Sequence, residues 1–100
     1  KHVPMSKYIR LTNLTETGKE QIENSNARTE RMRELAAESS GTIEEVFLTF
    51  GDYDFVTIAD FPDDRSYAKF ALKVAEDGNC ECQTLPAMEE DEYASIIESL

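Results

Sequence analysis

The chain has 100 residues, of which 40% are hydrophobic and 31% charged, and ten basic against 21 acidic side chains give a net charge of −11. One hundred residues form one domain, because two domains would each be too short to bury a core. The negative charge argues against a nucleic-acid or anionic-membrane partner, and there is no apolar run of about 18 residues that could span a membrane.

The first four residues are set apart from the predicted domain. We expect residues 1–4 to be a cloning remnant or a natural N-terminal extension, and a single domain to span residues 5–100. His2, the only histidine, therefore lies outside this domain. The start has no apolar segment typical of a secretory signal, so a cytoplasmic protein is predicted.

The first half of the domain is predicted to contain one strand and one interrupted helix. Alternating, β-compatible residues indicate a strand over Tyr8–Leu14, and Thr15 is a suitable helix N-cap. The helix should break at Asn24–Asn26, because these side chains favour caps and turns. It is predicted to resume from Ala27 to Ser39 or Ser40 and to end at Gly41 as the C′ residue.

The second half begins with a predicted hairpin and helix. Strands are predicted over Thr42–Phe50 and Tyr53–Phe61, and Gly51-Asp52 between them is typical of a tight two-residue turn. Asp63 or Asp64 is expected to cap a helix that ends at Gly78. The 3.6-residue period gives this helix an apolar stripe, which contains Tyr67, Ala71, Val74 and Ala75, with Ala68 and Leu72 alongside.

A fourth strand and a terminal helix complete the chain. The strand is predicted over Asn79–Ala87, and the helix over Glu89–Leu100 starts with acidic residues, as helix N-termini prefer. Cys80 and Cys82 are neighbours along the strand, poorly placed for a disulfide, so reduced thiols are expected. The order β-α-β-β-α-β plus a terminal helix predicts an α+β, ferredoxin-like antiparallel sheet with helices on one face.

The predicted hairpin sets which strand residues share a face of the sheet. We expect the helix-covered face to carry Ile9, Leu11, Val46, Leu48, Phe50, Tyr53, Phe55, Thr57 and Ala59. The opposite face is then mixed, with Tyr8, Arg10, Thr12, Ile43, Glu45, Phe47, Thr49, Asp54, Val56, Ile58, Asp60, Glu81 and Gln83. It is too apolar to face water, so a second copy is expected to cover it, giving a homodimeric barrel or a higher oligomer.

Polar residues of the mixed face and of the hairpin are candidates for ligand binding. They are Tyr8, Arg10, Asp54 and Asp60 of the mixed face and Tyr53 at the hairpin. We expect Arg10 to lie beside Asp54 or Asp60, either as an internal ion pair at the dimer interface or as part of a polar cavity for a small molecule. Tyr53 and Asp54 also have structural interpretations, as a packing residue and as a turn residue that bonds to backbone amides.

The segment Phe50–Val56, with its Gly-x-Tyr-Asp turn between two strands, resembles the signature of the GYD domain family. Further similar segments are Tyr8-Ile9, Thr15-Glu16-x-Gly18, Ser25-x-x-Arg28, Lys69–Leu72 and Thr84-Leu85-x-Ala87. The resemblance implies a dimeric α+β barrel and little about chemistry, because the family is largely without an assigned activity.

Two functions remain open at this point, and no catalytic residue is assigned. Without a histidine in the domain, His-ligated haem and Ser-His or Cys-His catalysis are excluded, and we expect no cofactor and no metal. The first function is a binding or interaction module without its own catalysis. The alternative is a cofactor-free isomerase or monooxygenase that acts on a small organic molecule in the barrel, with a carboxylate as base. Metal binding by the acidic run Glu89–Glu92 is the least favoured interpretation.

Overall fold

The computed structural model of this chain describes residues 5–100, so the expectation for residues 1–4 lies outside the described part. Within it, the strands are β1 (Ser6–Leu14), β2 (Thr42–Leu48), β3 (Phe55–Phe61) and β4 (Cys80–Ala87). The helices are α1 (Glu16–Glu20), α2 (Ser25–Glu38), α3 (Asp64–Ala75) and α4 (Glu90–Glu98). The strands form one antiparallel sheet in the order β2-β3-β1-β4, which confirms the ferredoxin-like α+β fold.

The helix starts follow the capping residues of the sequence. Thr15 Oγ1 accepts a hydrogen bond of 3.1 Å from the amide of Gly18, and Asp63 Oδ1 accepts one of 2.8 Å from the amide of Ser66. Both side chains satisfy amides that have no partner inside the helix. The helix is interrupted as predicted, but two residues earlier, because a 3₁₀ turn at Ile22–Asn24 separates α1 from α2 and Ser25 and Asn26 already belong to α2.

Helix α2 ends one residue earlier than the sequence indicates. Ser40 takes the left-handed C′ position with a φ of 64°, while the Gly41 amide donates to Ala36 O at 2.8 Å and the Ser40 amide to Ala37 O at 3.1 Å. This pair of bonds is a Schellman motif. Gly41 is needed for a different reason, since a Cβ there would lie 2.2 Å from the ring of Phe61.

The buried stripe of α3 is shifted from the predicted one. Tyr67 is buried, as expected, and Ala71 and Val74 pack partly against the core. Phe70, which was not predicted, is fully buried. Leu72 is exposed, because it lies on the solvent side of the helix.

The register of the β2–β3 hairpin is confirmed, but its loop is longer than predicted. Leu48 lies opposite Phe55, which continues the register expected from Phe50 and Tyr53. The last ladder bond joins the Thr49 amide to Asp54 O at 2.9 Å, so residues 50–53 form the turn. Phe50 is therefore 92% exposed in this turn, and its predicted place in the core was wrong.

Two details reverse the predicted faces of individual residues. An irregularity in the pairing between Ile43 and Glu45 turns Ile43 towards the helices, where it is buried. In β1 the whole parity was wrong, because Tyr8 and Arg10 lie under the helices, with Arg10 opposite the buried Thr57. Alternation alone did not determine the face of β1, since both of its sides carry large side chains.

The face of the sheet opposite α2 and α3 carries a group of apolar residues among polar ones. Its residues are paired across the strands, Ile9 with Ile58 and Leu85, and Leu11 with Val56. We call this surface the open face, and its apolar residues are Ile9, Leu11, Phe47, Val56, Ile58 and Leu85. Phe47 and Leu85 are 49% and 39% exposed.

Helix α4 lies outside the core of the domain. Every residue from Met88 to Leu100 is exposed, including Tyr93, Ile96 and Ile97 on its predicted apolar side. No helix in residues 5–100 has both the length and the hydropathy to cross a bilayer. The apolar side of α4 therefore has no partner within the described chain.

Replacement of Gly41 tests the packing between the end of α2 and β3. A Gly41→Ala variant should lower the free energy of unfolding by about 1–3 kcal/mol, because the added methyl group overlaps the Phe61 ring. Urea denaturation measures the change, and the exposed Glu38→Ala should shift it by less than about 0.5 kcal/mol. Equal stability of Gly41→Ala and the parent chain would show that this close approach is absent.

Candidate functional site

A small cavity lies between the sheet and the helix layer. It has a volume of about 100 Å³. Its floor comes from the strands and its roof from α2 and α3, and the lining includes Arg10, Thr12, Arg28, Met32, Phe55 and Thr57. The cavity therefore combines cationic and hydroxyl groups with apolar walls.

Arg10 is the buried charge of this site, with 3% of its surface exposed. Its Nη1 donates to the hydroxyl of Tyr67 at 2.9 Å, and its Nη2 donates to Sγ of Cys82 at 2.9 Å. Its Nε is buried and has no hydrogen-bond partner. A guanidinium stays charged in proteins, so this free donor carries a desolvation cost that a bound acceptor would remove.

An aromatic cluster holds the guanidinium in place. Its carbon lies 5.1 Å from the ring centroid of Phe70 and 5.9 Å from that of Tyr67, within cation–π range. Tyr8 stacks on Tyr67 with centroids 4.4 Å apart, and its hydroxyl donates to Asp64 Oδ1 at 2.6 Å. Burial, followed by the carboxylate of Asp64, raises the pKa of Tyr8 to about 12, so Tyr8 stays neutral.

The rim of the cavity adds further positive charge. Arg28 lines it and is oriented by hydrogen bonds to Gln21 O at 2.9 Å and to Ser25 Oγ at 3.2 Å. Arg31 and Asp77 are also in the lining, 3.8 Å apart as an exposed ion pair. Because Asp77 is engaged with Arg31, the local field around Arg10 and Arg28 favours an anion.

Comparison with known proteins identifies the family. A family model described as the GYD domain matches residues 8–97. The chain belongs to the GYD domain family. The resemblance seen in the sequence is thereby confirmed, while no curated protein matches the chain.

Solved structures similar to this GYD domain support the fold. The crystal structure of MtbAldR matches 85% of the chain at 15% identity with a TM-score of 0.66, and the chain spans 52% of MtbAldR, about half its length. The match to the de novo designed protein Foldit4 covers 86% of this chain and 98% of the designed chain, at 14% identity and with a TM-score of 0.50. At these identities the likeness concerns the fold alone.

The structure of this GYD domain separates the five predicted ligand-binding residues. Arg10 lines the cavity, and Tyr8 belongs to the aromatic cluster beside it. Tyr53 donates to Gln83 Oε1 at 2.7 Å, away from Arg10. The expected neighbourhood of Arg10 with Asp54 or Asp60 was wrong, because β1 presents Arg10 to the helices.

The two aspartates have structural partners instead. Asp54 Oδ2 accepts a bond of 2.8 Å from the Leu14 amide, which satisfies the last residue of β1. Asp60 lies 3.0 Å from Lys7 Nζ, which also contacts Glu44 at 3.1 Å. Burial raises the pKa of Asp60 and Lys7 partly offsets this, whereas the same lysine lowers the pKa of the exposed Glu44. Residues 5–100 contain no group of three or more His, Cys, Asp or Glu suited to a metal ion. The run Glu89–Glu92 therefore does not form such a group.

Sequence reasoning missed several residues of the site. Tyr67 was predicted only as part of a buried stripe, and Arg28 only as part of the similarity to the family. Cys82 and Thr57 were assigned to strands without a role. The signal that could have found Cys82 and Thr57 is the alternation of the strands. Both residues lie on the same side of the sheet as Arg10, the side that faces the helices.

The Tyr67 hydroxyl offers a test of the buried Arg10. Tyr67→Phe should lower the free energy of unfolding by about 1–3 kcal/mol, because it leaves Arg10 Nη1 buried without an acceptor. Tyr93→Phe on the exposed α4 is the matched control and should change stability by less than about 0.5 kcal/mol. Equal effects of the two variants in urea denaturation would contradict the assigned hydrogen bond.

Proposed function

We propose that this GYD domain is a homodimeric binding module that holds a small anionic ligand, in the first place a carboxylate, in the cavity at Arg10. The observation that carries the proposal is the buried Arg10 Nε without a partner. A carboxylate oxygen accepts from a guanidinium in a strong, charge-assisted bond. Such a ligand would satisfy the one buried polar side-chain atom left unpaired in residues 5–100.

The dimensions of the cavity restrict the ligand. Its volume of about 100 Å³ is smaller than the roughly 150 Å³ of an engineered protein cavity that binds benzene. A carboxylate with a short tail fits this space, and Leu35, Val46 and Phe55 provide apolar walls for the tail. A long-chain acid or a nucleotide is larger than this volume.

The distribution of charge favours an anion locally despite the net charge of −11. Residues 51–100 carry thirteen acidic and three basic side chains, whereas residues 1–50 carry eight and seven. All three arginines of the cavity, Arg10, Arg28 and Arg31, belong to this nearly neutral half. Asp77 is the only carboxylate among the lining residues and is paired with Arg31, so the other carboxylates of the acidic half lie outside the cavity lining.

The open face supports the homodimer. Four strands about 4.8 Å apart and seven to nine residues long give this face an area on the order of 500 Å². A stable interface takes about 800 Å² from each partner. The exposed apolar side of α4 can supply the remainder, and a second copy brings the same two surfaces, so we propose that it covers both.

The alternative of a cofactor-free isomerase or monooxygenase in the barrel finds less support. Asp54 and Asp60, the expected acid–base groups, are engaged with the Leu14 amide and with Lys7. The cavity at Arg10 has Asp77 as its only lining carboxylate, and Arg31 neutralises it. Binding without chemistry is therefore the proposed function.

Ligand binding can be tested by thermal unfolding with short carboxylates. Acetate, propionate and pyruvate are the probes, and propionamide is the neutral control of matched shape. A probe at tenfold its Kd stabilises by about 1.4 kcal/mol, which raises the Tm of a domain of this size by about 5–10 °C.

Two variants locate the binding. Arg10→Met should abolish the shift in Tm. Arg28→Ala removes a more exposed charge of the cavity and should reduce the shift, and it serves as the test where Arg10→Met does not fold. An equal shift with propionamide, or no shift with any of the three carboxylates, would overturn the proposed ligand class.

The dimer can be tested by light scattering at micromolar concentration. The parent chain should have the mass of a dimer, and Ile58→Glu should give a folded monomer, because it places a charge at the centre of the open face. Leu72→Glu makes the same kind of change on the solvent side of α3 and should leave the dimer intact. A monomeric parent chain, or dissociation by both variants, would contradict this interface.

A further inference from the structure

We propose that Cys82 is a site of reversible covalent modification by small disulfides, with Sγ acting as a nucleophilic thiolate held by Arg10, Thr12 and Cys80. In the reaction the thiolate attacks one sulfur of the small disulfide. A new S–S bond forms at Cys82, the original S–S bond breaks, and its electron pair leaves with the second sulfur, which takes a proton from water. The small disulfide is the oxidant, so no other reactant is needed.

Three polar groups surround the Cys82 sulfur, and each can donate to it when Cys82 is a thiolate. Arg10 Nη2 lies 2.9 Å away and carries a full charge, Thr12 Oγ1 lies 3.2 Å away, and Cys80 Sγ lies 3.9 Å away. All three come from the helix side of β1 and β4, because Cys82 is opposite Thr12 in the sheet. Cationic and hydrogen-bonding surroundings of this kind favour the thiolate over the thiol.

The groups around Cys80 and Cys82 favour a state in which only one of the two sulfurs carries a proton. The Cys80 hydrogen bond, the charge of Arg10 and the Thr12 hydroxyl lower the pKa of Cys82 to about 6, although burial opposes the shift. The same interaction with Cys82, together with burial, raises the pKa of Cys80, while Arg10 and Arg28 of α2 lower it in part. From α3, the neutral Tyr67 faces this group through its bond to Arg10. Cys80 therefore keeps its proton while Cys82 is ionised at neutral pH.

The position of Cys82 gives a reagent access. It is exposed and lies on β4, an edge strand of the sheet. Its side chain projects from the helix side, opposite the open face. A dimer formed through the open face therefore leaves the sulfur accessible, and the proposed modification does not depend on whether the anion site is correct.

Cys80 is poorly placed to displace the bound group. Two residues along an extended strand separate the Cα atoms by about 6.8 Å, which is the upper limit for a disulfide. The sulfurs, 3.9 Å apart, would have to approach to bonding distance against the geometry of the strand. The mixed disulfide should therefore persist instead of resolving into a Cys80–Cys82 bridge.

The product can be tested by intact mass spectrometry of the full chain with oxidised glutathione and, separately, with the neutral hydroxyethyl disulfide. We expect a single adduct that a thiol reductant removes. Cys82→Ser should abolish it, and Cys80→Ser should retain it. An adduct on Cys80, a loss of two hydrogens without an adduct, or no reaction with either disulfide would overturn the proposal.

The pH dependence of alkylation tests the reason for the reactivity. With iodoacetamide the rate at Cys82 should reach half its maximum near pH 6, against about 8.5 for an unperturbed cysteine. Thr12→Val should move this midpoint upward because it removes one donor, while Thr42→Val, an exposed threonine of β2, should not. A midpoint near pH 8.5 in the parent chain would show that Cys82 is an ordinary thiol.

Discussion

A guanidinium buried beneath the helix layer sets the arrangement of the side chains around it. Arg10 cannot lose its charge, so its donors need acceptors and its plane needs polarisable neighbours. Tyr67 and Cys82 provide the acceptors, and the rings of Tyr67 and Phe70 provide the neighbours. Only Nε is left unsatisfied. The aromatic cluster, the Cys82 sulfur and the cavity are therefore parts of one arrangement around the charge of Arg10.

The two faces of the sheet have different proposed uses because β1 alternates between them. Its helix side carries Tyr8 and Arg10, which form the site, and its other side carries Ile9 and Leu11, which belong to the open face. Binding and assembly are thereby built into the same strand. Occupation of one face leaves the other accessible, so a dimer can keep both the cavity and Cys82 open to small molecules.

Local interactions made much of the fold predictable. Thr15 and Asp63 cap helices through bonds within three residues, and the Gly51-Asp52 turn was sufficient to give the correct register of β2 and β3. The position of Phe50 was wrong, because a hairpin register does not determine how many residues remain in the turn. Ile43 was assigned to the wrong face, because the irregularity in the pairing between Ile43 and Glu45 reverses the alternation and was not predicted.

The candidate site was predictable in its central residue and not in its surroundings. Arg10 was predicted as a candidate ligand-binding residue and lines the cavity, but its expected partners were carboxylates on the opposite face. Ile9 and Leu11 were assigned to the core because they are the more hydrophobic residues of β1. Hydrophobicity alone does not include the aromatic stacking and cation–π contacts that stabilise Tyr8 and Arg10 when they are buried.

The sequence by itself determined the order of the elements, the N-caps Thr15 and Asp63 and the register of the β2–β3 hairpin, because these depend on residues close together along the chain. Only the tertiary structure decided which side of β1 faces the helices. That choice depends on Tyr67, Phe70 and Cys82. These residues lie 57 to 72 positions after Arg10 along the chain. Their contacts with Arg10 exist only after the sheet and the helices have packed together.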